Sequence, residues 1–372
     1  MIDEVPGHMP ANALDYITIK GFKSIASVEK LAIKPINIVI GANGSGKSNF
    51  IGVFDFLRAV CDGRLARYVT VAGGAEKVLH FGSKATTRIT LEFSLQNSVQ
   101  YSIYLRPTTD DGLAPDPETI RNGGNLTLLS PREGGREANI SDPSPKGHAE
   151  RVRNTLHQWR PYHLNDNGSS SPMRKTAAVD DNRFLQADGA NLAAFLYYLQ
   201  EKQEDSYKLI VRTIQLVAPF FHDFRLAPLQ LNPDTIKLEW RHKRSEQYFA
   251  APSLSDGTLR FIALATLFLQ PEALRPSLIL VDEPELGLHP YALELLASLI
   301  RQASVTSQVI VSTQSSLLLD HFNPEDVIVA DRVDDGTQLT RLDPGRLEKW
   351  LEDYSLGQLW EKNEFGGRPV PG

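Results

Sequence analysis

The chain has 372 residues, of which 41% are hydrophobic and 23% are charged, and its formal net charge at pH 7 is −6. This composition is ordinary for a globular protein of one large or two modest domains, and the acidic balance argues against a globally basic nucleic-acid binder. Cys61 is the only cysteine in the sequence, which excludes an internal disulfide and favours a cytoplasmic setting. No apolar run has the length of a membrane span, and we expect residues 1–13 to form a loose polar leader.

The first hundred residues predict strands around one helix. Alternating apolar residues predict an edge strand at residues 14–19 and a second extended segment at residues 28–33. A short apolar run predicts a buried strand at residues 36–40, and helical spacing follows at residues 49–57. Further strands are expected at residues 77–81, 88–95 and 99–105. The polar spacer between the last two indicates a hairpin.

The middle of the chain is less regular. Residues 106–149 are rich in Asp, Gly, Pro, Ser and Asn, which predicts a long loop or a partly disordered insertion. A helix at residues 150–159 and a polar loop at residues 164–180 are expected to follow. Helices at residues 191–199 and 206–217 suggest a lid between two halves of a core. Two alternating strands are then predicted, at residues 224–229 and 235–240.

From residue 254 onward, helices alternate with strands. Helices are predicted at residues 257–269 and 290–302, and strands at residues 277–282, 308–312 and 326–330. This alternation predicts a largely parallel sheet with helices on both faces. Residues 347–363 are expected to form a closing helical segment, with Trp350 and Trp360 packed on the body.

A phosphate-binding loop follows the strand predicted at residues 36–40. Residues 41–48 read GANGSGKS, which fits the pattern G-x-x-x-x-G-K-[ST], and the strand and helix around them argue against a chance glycine-rich turn. Its glycines allow the backbone to approach an anion, and successive N–H groups at the helix start face the phosphates. Lys47 would reach the β- and γ-phosphates, and the Ser48 hydroxyl would bind Mg²⁺. The expected nucleotide contacts are Asn43, Gly44, Ser45, Gly46, Lys47, Ser48 and Asn49.

A second motif ends in two acidic residues. Residues 278–281 are apolar and lead into Asp282 and Glu283, which predicts a buried strand that carries carboxylates at its carboxyl end. We expect Asp282 to be the second Mg²⁺ anchor and Glu283 to polarise the attacking water as a general base. The alternative is that Asp282 and Glu283 are only two solvated acids at the end of a strand. The phosphate-binding loop upstream makes the nucleotide site the favoured interpretation.

Three further stretches carry a resemblance to a known family. The run SLSDGTLRF at residues 253–261 resembles the signature motif of ABC-type ATPases. The runs DEPELGLHP at residues 282–290 and ITIKGFKSI at residues 17–25 resemble the RecF, OLD and SMC branch of that family. The similarity covers residues 14–105 and 250–330. It is greatest to stand-alone predicted prokaryotic ATPases of this branch, some of whose relatives act in phage defence or DNA metabolism.

The resemblance implies an α/β P-loop ATPase head with a mixed sheet, flanking helices and a helical lid insertion. It implies one half of the core at residues 14–105, an insertion with lid and connecting strands at residues 106–249, and the other half with a closing helical tail at residues 250–372. It also implies that two heads enclose two ATP molecules, so that Ser255 and the Gly257 N–H of one head meet the γ-phosphate held by the other. An ordinary capped helix is the alternative for this segment.

Two departures from the family pattern qualify the expected activity. Relatives usually place a histidine that senses the γ-phosphate where this chain has Gln314, and an amide cannot become cationic, so hydrolysis is expected to be slow or dependent on a partner. Gln96 and Gln100 are candidates, on spacing alone, for the glutamine that contacts Mg²⁺. His289 is expected to pack beside its loop rather than bind a metal, and the basic run at residues 241–244 to be a solvated strand end.

These observations predict an ATPase that hydrolyses ATP to ADP and phosphate, with ATP and Mg²⁺ as its ligands and a homo-oligomer, at least an ATP-dependent dimer, as its working form. A separately encoded effector protein is the expected partner, and nucleic acid is a further candidate. The first alternative is a RecF-like clamp that uses ATP to regulate its grip on DNA. The second is the nucleotide-binding subunit of a membrane transporter, which the segment at residues 22–25 and the helical insertion disfavour.

Overall fold

The computed structural model describes residues 12–96, 98–129, 135–144, 146–165, 168, 170–334 and 336–367. The leader predicted at residues 1–13 therefore lies almost wholly outside the described residues. The chain divides into two compact units. The first contains Met1–Pro161, Pro276–Leu280 and Ser307–Gly372, and the second contains Tyr162–Arg275 and Val281–Thr306. The three-part domain division given above stays a prediction.

The helices and strands follow the chain in three runs. The first run is β1 (Leu14–Phe22), β2 (Ile25–Ala32), β3 (Ile36–Ile40), α1 (Lys47–Cys61), α2 (Leu65–Ala72), α3 (Ala75–Val78), β4 (Ile89–Leu95), β5 (Val99–Pro107), β6 (Leu113–Asn122), β7 (Asn125–Leu129), α4 (His148–His157) and β8 (Trp159–Tyr162). The second run is β9 (Ala177–Ala178), α5 (Leu192–Lys202), α6 (Glu204–Val217), β10 (Phe221–Arg225), β11 (Pro228–Leu229), β12 (Asn232–Ile236), β13 (Glu239–His242), β14 (Tyr248–Ala250), α7 (Asp256–Leu269), β15 (Leu278–Asp282) and α8 (Pro290–Ala303). The third run is β16 (Gln308–Thr313), α9 (Ser316–Leu319), β17 (Val327–Val333), β18 (Gly336–Arg341), α10 (Pro344–Leu347) and α11 (Leu356–Glu361).

The first unit contains an antiparallel sheet with the strand order β2-β1-β4-β5-β6-β7. In β5 every second side chain is buried, which is the pattern of a sheet with one core face and one solvent face. The core face packs against α1 through aromatic contacts. The ring of Trp159 lies 4.9 Å from that of Phe93 on the sheet and 5.6 Å from that of Phe54 on α1, measured between centroids.

Two strand predictions in this unit are wrong. The strand predicted at the sheet edge is interior, since β1 pairs with both β2 and β4. The alternation of apolar and polar residues in β1 arises because one face of the sheet is exposed to solvent, and not because the strand lies at an unpaired edge. Residues 77–81 form no strand, because α3 occupies their start and only Leu79 makes an isolated bridge, to Phe22. Ala, Glu and Lys, the first three residues of α3, are all compatible with a helix.

The insertion predicted to be a loop at residues 106–149 instead extends the sheet through the hairpin β6–β7. β6 contains two prolines and several polar residues, and four of the five residues of the edge strand β7 are exposed. The buried Glu118 of β6 ties the following chain to the sheet. Its carboxylate accepts hydrogen bonds from the Asn139 and Ile140 amides at 2.6 and 2.9 Å and from the Tyr101 hydroxyl at 2.8 Å. Residues 130–134 and 145 lie outside the described part.

The second sheet has the order β18-β17-β3-β16-β15-β8. Within it β3 runs parallel to both β16 and β17, and β18 runs antiparallel to β17, which confirms the predicted parallel core. Apart from the buried Asn37, β3 is apolar, as expected for a strand that is covered on both faces. The buried Gln308 joins the two sheets, since its side-chain amide donates to the Leu14 carbonyl at 2.9 Å and its oxygen accepts from the Leu14 amide at 2.7 Å.

The second unit is built on helices α5 to α8, with the small sheets β10-β13-β14 and β11-β12-β9. α7 contacts both α6 and α8, and it is buried from Leu259 to Leu269. The helices predicted for the lid form as α5 and α6. The two long strands predicted at residues 224–229 and 235–240 are each interrupted, because two irregular residues separate β10 from β11 and another two separate β12 from β13.

The tail of the described chain is only partly helical. α10 and α11 are short helices separated by turns, in place of the continuous helical segment predicted at residues 347–363. The prediction that Trp350 packs on the body is wrong, because its side chain is 45% exposed, whereas Trp360 is half-buried. Among the described helices, none combines the length and the apolarity that crossing a bilayer requires.

Candidate functional site

The glycine-rich loop joins the end of β3 to the start of α1, as predicted. Two of its glycines are required by close packing. A Cβ atom on Gly41 would lie 2.3 Å from the Ala330 carbonyl oxygen, and one on Gly46 would lie 2.0 Å from the Thr337 hydroxyl. Gly44 has a φ of 78° and faces open space, so this stretch of backbone is accessible from solvent. The loop therefore has the bare, curved backbone that a phosphate site needs.

The polar side chains of the loop fit a polyphosphate. Lys47 is 4% exposed, and its ammonium donates to the carbonyls of Gly41 and Ala42 at 2.7 and 3.0 Å, which folds the side chain back over the loop. The buried Ser45 hydroxyl has no hydrogen-bond partner within the described residues. Such an orphaned buried group is expected where a ligand completes the site. The Ser48 side chain, at the first turn of α1, is exposed.

A network of three side chains, which the sequence did not indicate, supports the loop from behind. The Thr337 hydroxyl lies 2.9 Å from the Ser45 carbonyl oxygen and 2.7 Å from the Ser24 hydroxyl. Because Thr337 has one hydroxyl proton, donating to the carbonyl requires that it accept from Ser24. The side-chain amide of Asn49, a residue expected to contact nucleotide, donates to the Ser24 hydroxyl at 2.7 Å. The only sequence signal for Thr337 was the weak alternation of β18.

The end of the described chain also touches the loop. The Gly367 carbonyl accepts a hydrogen bond from the Ala42 amide at 2.6 Å. A Cβ atom on Gly367 would lie 3.5 Å from the Cα of Gly41, so the two backbones are in van der Waals contact. The tail therefore helps to hold the first turn of the phosphate-binding loop.

Gln314 lies beside the same loop. β3 and β16 are parallel, and their register pairs Ile40 with Thr313. Gln314 and Gly41 are therefore neighbouring residues at the carboxyl end of the sheet, where parallel sheets bind ligands. The half-buried side chain of Gln314 can donate and accept hydrogen bonds there.

The second unit carries the signature motif at the start of α7. Ser255 is the N-cap, and its hydroxyl accepts a hydrogen bond from the Thr258 amide at 3.2 Å. Its side chain is exposed. Gly257 packs on the loop after the acidic strand so tightly that a Cβ atom would lie 2.1 Å from the Gly287 carbonyl oxygen. The helix start and that loop are therefore one packed element.

The acidic pair begins the same loop. Asp282 is the last residue of β15, as predicted, and Glu283 follows it with a φ of 47°. A left-handed conformation is uncommon for a residue with a side chain and costs on the order of 1 kcal/mol. The turn that it starts is closed by a hydrogen bond of 3.4 Å from the Leu286 amide to the Glu283 carbonyl. Asp282 therefore ends a regular strand, whereas Glu283 begins a turn.

Arg260 links the signature helix to these acids. Its guanidinium is buried and donates to the Leu164 carbonyl at 3.2 Å. Burial lowers the pKa of Arg260, and three nearby carboxylates oppose this shift. These carboxylates belong to Asp256, Glu285 and Glu283. Arg260 therefore places a positive charge between the signature motif and the loop of the proposed base.

A second arginine fixes the segment before the signature helix. Arg174 donates to the carbonyls of Ala251 and Leu254 at 2.7 and 3.2 Å and forms an ion pair of 2.5 Å with Asp256. The arginine side chain is largely buried in this ion pair. A guanidinium that satisfies two carbonyls and a carboxylate holds the entry to α7 in one geometry.

The remaining residues singled out in the sequence have structural contacts. The His289 side chain accepts a hydrogen bond from the Tyr291 amide at 3.3 Å and caps α8. Gln100 donates to the Tyr16 hydroxyl at 2.5 Å on the solvent face of the first sheet. The run at residues 241–244 leaves the end of β13. Within the described residues, no group of three His, Cys, Asp or Glu side chains could hold a metal ion.

Comparison with solved structures gives the fold. The SMC head bound to the C-winged helix domain of ScpA is 17% identical with a TM-score of 0.60, and the match covers 90% of this chain and 99% of that one. The Smc head domain with an extended coiled coil from Pyrococcus furiosus, bound to the C-terminal domain of ScpA, is 17% identical with a TM-score of 0.53, covering 92% and 99%. The Smc head domain with a coiled coil and joint from Pyrococcus yayanosii is 13% identical, also with a TM-score of 0.53 and the same coverage.

These similarities confirm the predicted α/β fold of an ABC-type ATPase head. A comparison with curated proteins finds no significant match. A family profile matches residues 36–320, which begin at β3 and include the phosphate-binding loop, the signature motif, the acidic strand and Gln314. The chain belongs to the family described as "AAA domain, putative AbiEii toxin, Type IV TA system", and its fold is that of an ABC-type ATPase head of the SMC and RecF branch.

Proposed function

We propose that this protein is a switch that closes as a dimer around Mg-ATP and reopens when ATP is hydrolysed to ADP and phosphate. The nucleotide would be held by Asn43, Gly44, Ser45, Gly46, Lys47, Ser48 and Asn49 of one molecule and by Ser255 and Gly257 of a second. Ser48 and Asp282 are the proposed Mg²⁺ ligands, and the bound ion would neutralise charge on the phosphates. These assignments rest on the fold, on the residue chemistry and on the local geometry of each motif.

The contact between Gly257 and Gly287 is the observation that carries the proposal. Ser255 is exposed at the start of α7, and the helix start packs directly on the loop that begins with Glu283. A phosphate that approached Ser255 from another molecule would therefore contact a helix start that is packed against the loop of Glu283. Leu286 and Tyr291 expose 42% and 46% of their surface on the same loop and the helix after it. Such apolar groups favour a surface that becomes covered.

The residues assign the chemistry as follows. Lys47 would move from the carbonyls of its own loop to the phosphates, where its positive charge opposes theirs. Glu283 would accept a proton from the attacking water, because a carboxylate near a γ-phosphate can act as a general base. Gln314, beside Gly41, would hydrogen bond to the phosphates without adding charge. The absence of a cation at position 314 supports slow turnover or stimulation by a partner.

The experiment is sedimentation velocity of the Glu283→Gln variant with and without Mg-ATP. The variant should retain nucleotide and slow turnover by about 10²–10⁴-fold, and its dimer population should rise when Mg-ATP is added. Adding Ser255→Arg should remove the ATP-dependent dimer, because it places bulk and charge in the shared surface. Ser27→Arg, on an exposed position of β2, is the matched control and should leave the dimer intact. Self-association that is identical with and without nucleotide would reject the switch.

The proposed partner is inferred from the relatives of this chain and not from contacts in its structure. Two of the three SMC head structures described above have a domain of ScpA bound, and the family description names a toxin of a toxin–antitoxin system. We infer a separately encoded effector that recognises the closed dimer, in phage defence or DNA metabolism. Capture with tagged Glu283→Gln protein and Mg-ATP should enrich one partner over the same capture with Lys47→Ala protein. Equal recovery in both would argue against nucleotide control of the partner.

A further inference from the structure

The first unit contains a depression beside α2 that the proposed ATPase cycle does not use. Its volume is about 480 Å³, and it is lined by Lys23, by Ala59 of α1 and by one face of α2. Ala59 lies about 18 Å from Lys47 along α1, at a rise of about 1.5 Å per residue. The floor of this depression, which we call the α2 pocket, is therefore well separated from the start of α1, where the phosphates are expected.

The sequence of α2 explains why one of its faces is open. Leu65 and Val69 are buried and attach the helix to the core. A second stripe has the helical spacing i, i+3, i+4, i+7 and i+8 and is exposed or half-buried. Its members, which all line the pocket, are Arg64, Arg67, Tyr68, Val71 and Ala72. Val71 is 80% exposed, so the pocket has an apolar wall that the described residues leave largely uncovered.

The side chains of α1 give the pocket its depth. The ring of Phe56 packs against that of Tyr68, with 4.9 Å between the two centroids. Ala59 lies one turn further along α1 and lines the pocket with a methyl group only. The floor is therefore small and apolar, and an aromatic ring that is fixed by its packing stands beside it. Such a floor can accept an apolar side chain from another molecule without a rearrangement of the backbone.

Lys23 forms a cationic part of the wall and is held in place. Its backbone is left-handed, with a φ of 47°, and its amide donates to the Val78 carbonyl at 2.8 Å. The Nδ1 atom of His80 lies 2.8 Å from the Lys23 carbonyl oxygen. The ammonium lies 5.4 and 5.9 Å from the ring centroids of Phe22 and Tyr68. These contacts restrict the cation before any ligand arrives.

Two carboxylates near the pocket are already engaged within the protein. Asp62 forms ion pairs with Arg64 at 2.5 Å and with Arg58 at 3.6 Å, so one carboxylate serves two guanidinium groups. Glu137 accepts hydrogen bonds from the first two backbone amides of α2, at 2.7 and 3.0 Å. Their oxygens are therefore directed to these partners and not to the remaining cations of the pocket.

Two cations remain for a ligand. The Arg67 side chain is exposed and makes neither an ion pair nor a hydrogen bond within the described residues. Lys23 is the other; burial lowers its pKa, and the nearby Asp55 carboxylate opposes this shift. On a chain of net charge −6, a surface that combines cations with an apolar wall is a place where an acidic partner meets local attraction.

We propose that the α2 pocket binds an acidic peptide segment of a partner protein. One large apolar side chain of the segment lies over Ala59, between Tyr68 and Val71, and carboxylates on either side of it pair with Lys23 and Arg67. Interaction hot spots typically have this form, an anchor in a pocket surrounded by groups that exclude water. A peptide fits because acids spaced along a chain reach both cations while an apolar residue between them fills the pocket. This interaction does not depend on the proposed switch.

The test measures the fluorescence anisotropy of a fluorescein-labelled peptide of three Asp-Glu-Phe-Leu repeats with the full chain. We expect binding that weakens as salt increases, because the charges at the rim are exposed. Arg67→Glu and Val71→Asp should each weaken it about tenfold, a loss typical of a hot-spot residue. The matched controls are Arg346→Glu on α10 and Val305→Asp after α8, both at exposed positions, and they should bind as the wild type does.

Altered peptides separate charge from apolar contact. Asn and Gln in place of the acids, or Ser in place of Phe and Leu, should each weaken binding about tenfold. A peptide that keeps only its charges and binds equally well would overturn the pocket. A benzophenone group on the central Phe should cross-link to α2, as identified by mass spectrometry of the digested protein. Labelling confined to other elements would overturn the location.

Thermal unfolding and the stabilisation by Mg-ATP should be unchanged in Arg67→Glu and Val71→Asp. Lys47→Ala should bind the peptide as the wild type does, so a failure of the proposed switch would leave this interaction intact. No binding of the acidic peptide at low salt, or equal weakening by the control variants, would overturn the site. Phenylacetate that displaces the peptide mole for mole would overturn the peptide in favour of a small carboxylate. An oligothymidylate that binds this pocket more tightly would overturn the choice of partner.

Discussion

The Cα atom of Gly257 lies so close to the carbonyl oxygen of Gly287 that a Cβ atom would approach that oxygen to 2.1 Å. The Gly287 backbone is in the left-handed region with a φ of 76°, so neither residue tolerates a side chain easily. The start of the signature helix and the loop of Glu283 are thereby fixed against each other. In the proposed mechanism this contact couples the arrival of a second head to the placement of the base.

Gly257→Ala should separate these two elements. Overpacking of this kind costs about 1–3 kcal/mol, and we expect hydrolysis to fall steeply while ATP binding at the phosphate-binding loop is retained. Steady-state phosphate release and the thermal shift with Mg-ATP measure the two properties. Gly345→Ala is the control, because its added Cβ would have only an ordinary contact of 3.5 Å, with Asp343. Normal turnover in Gly257→Ala would contradict the coupling.

Lys47→Ala should remove most of the affinity for ATP. In the wild type, ATP at about a hundred times its dissociation constant should raise the free energy of unfolding by about 2.7 kcal/mol. The variant should lose this gain, since Lys47 supplies the one cationic side chain within residues 41–48. Differential scanning fluorimetry with Mg-ATP measures the shift, and Lys77→Ala is an exposed control. An undiminished shift in Lys47→Ala would reject the nucleotide site.

Gln314→His should accelerate hydrolysis. The register of β16 with β3 places position 314 beside Gly41, where an imidazolium could stabilise charge on a phosphate. The rate should also gain a pH dependence, rising as pH falls toward the pKa of the new histidine. Gln314→Asn keeps an amide and should show no such gain. An equal or lower rate in Gln314→His at every pH would show that the missing histidine does not limit turnover.

Cys61 should be inert in the folded protein. Its side chain is 2% exposed, and burial raises the pKa of the thiol to about 12. At pH 8 only about one thiol in ten thousand is then ionised, and the thiolate is the reactive form. Ellman's reagent should therefore label no thiol in native protein and one per chain in denaturant. Rapid labelling at pH 8 without denaturant would contradict this packing of α1.

The local parts of the ATP site could be predicted from the sequence because each is a short motif on its own element. Residues 41–48 follow a strand that is apolar except for Asn37, and its composition is that of a strand buried on both faces. Asp282 and Ser255 were placed correctly at the end of β15 and at the start of α7 for the same reason. Helix caps and buried strand ends are determined by neighbouring residues.

The contacts that hold the site depend on residues far apart in the chain, and no local pattern indicated them. Thr337 reaches Ser45 only because β18 pairs with β17 and β17 pairs with β3. The composition of residues 106–149 predicts a loop instead of the hairpin of β6 and β7, because β6 contains two prolines and several polar residues, which are uncommon in strands. The left-handed backbone of Glu283 is likewise set by its loop and not by residue type.

The position of β3 has a consequence for synthesis of the chain. β3 is made early, but its two neighbours, β16 and β17, begin at Gln308 and Val327. At the usual pace of translation, the nascent chain holds this apolar strand without either partner for on the order of tens of seconds. Thr337, which supports the phosphate-binding loop, emerges later still. In the proposed function, ATP would therefore meet a fully supported phosphate-binding loop only after β18 has been made, and until then β3 would depend on transient cover from chaperones or from nascent α1.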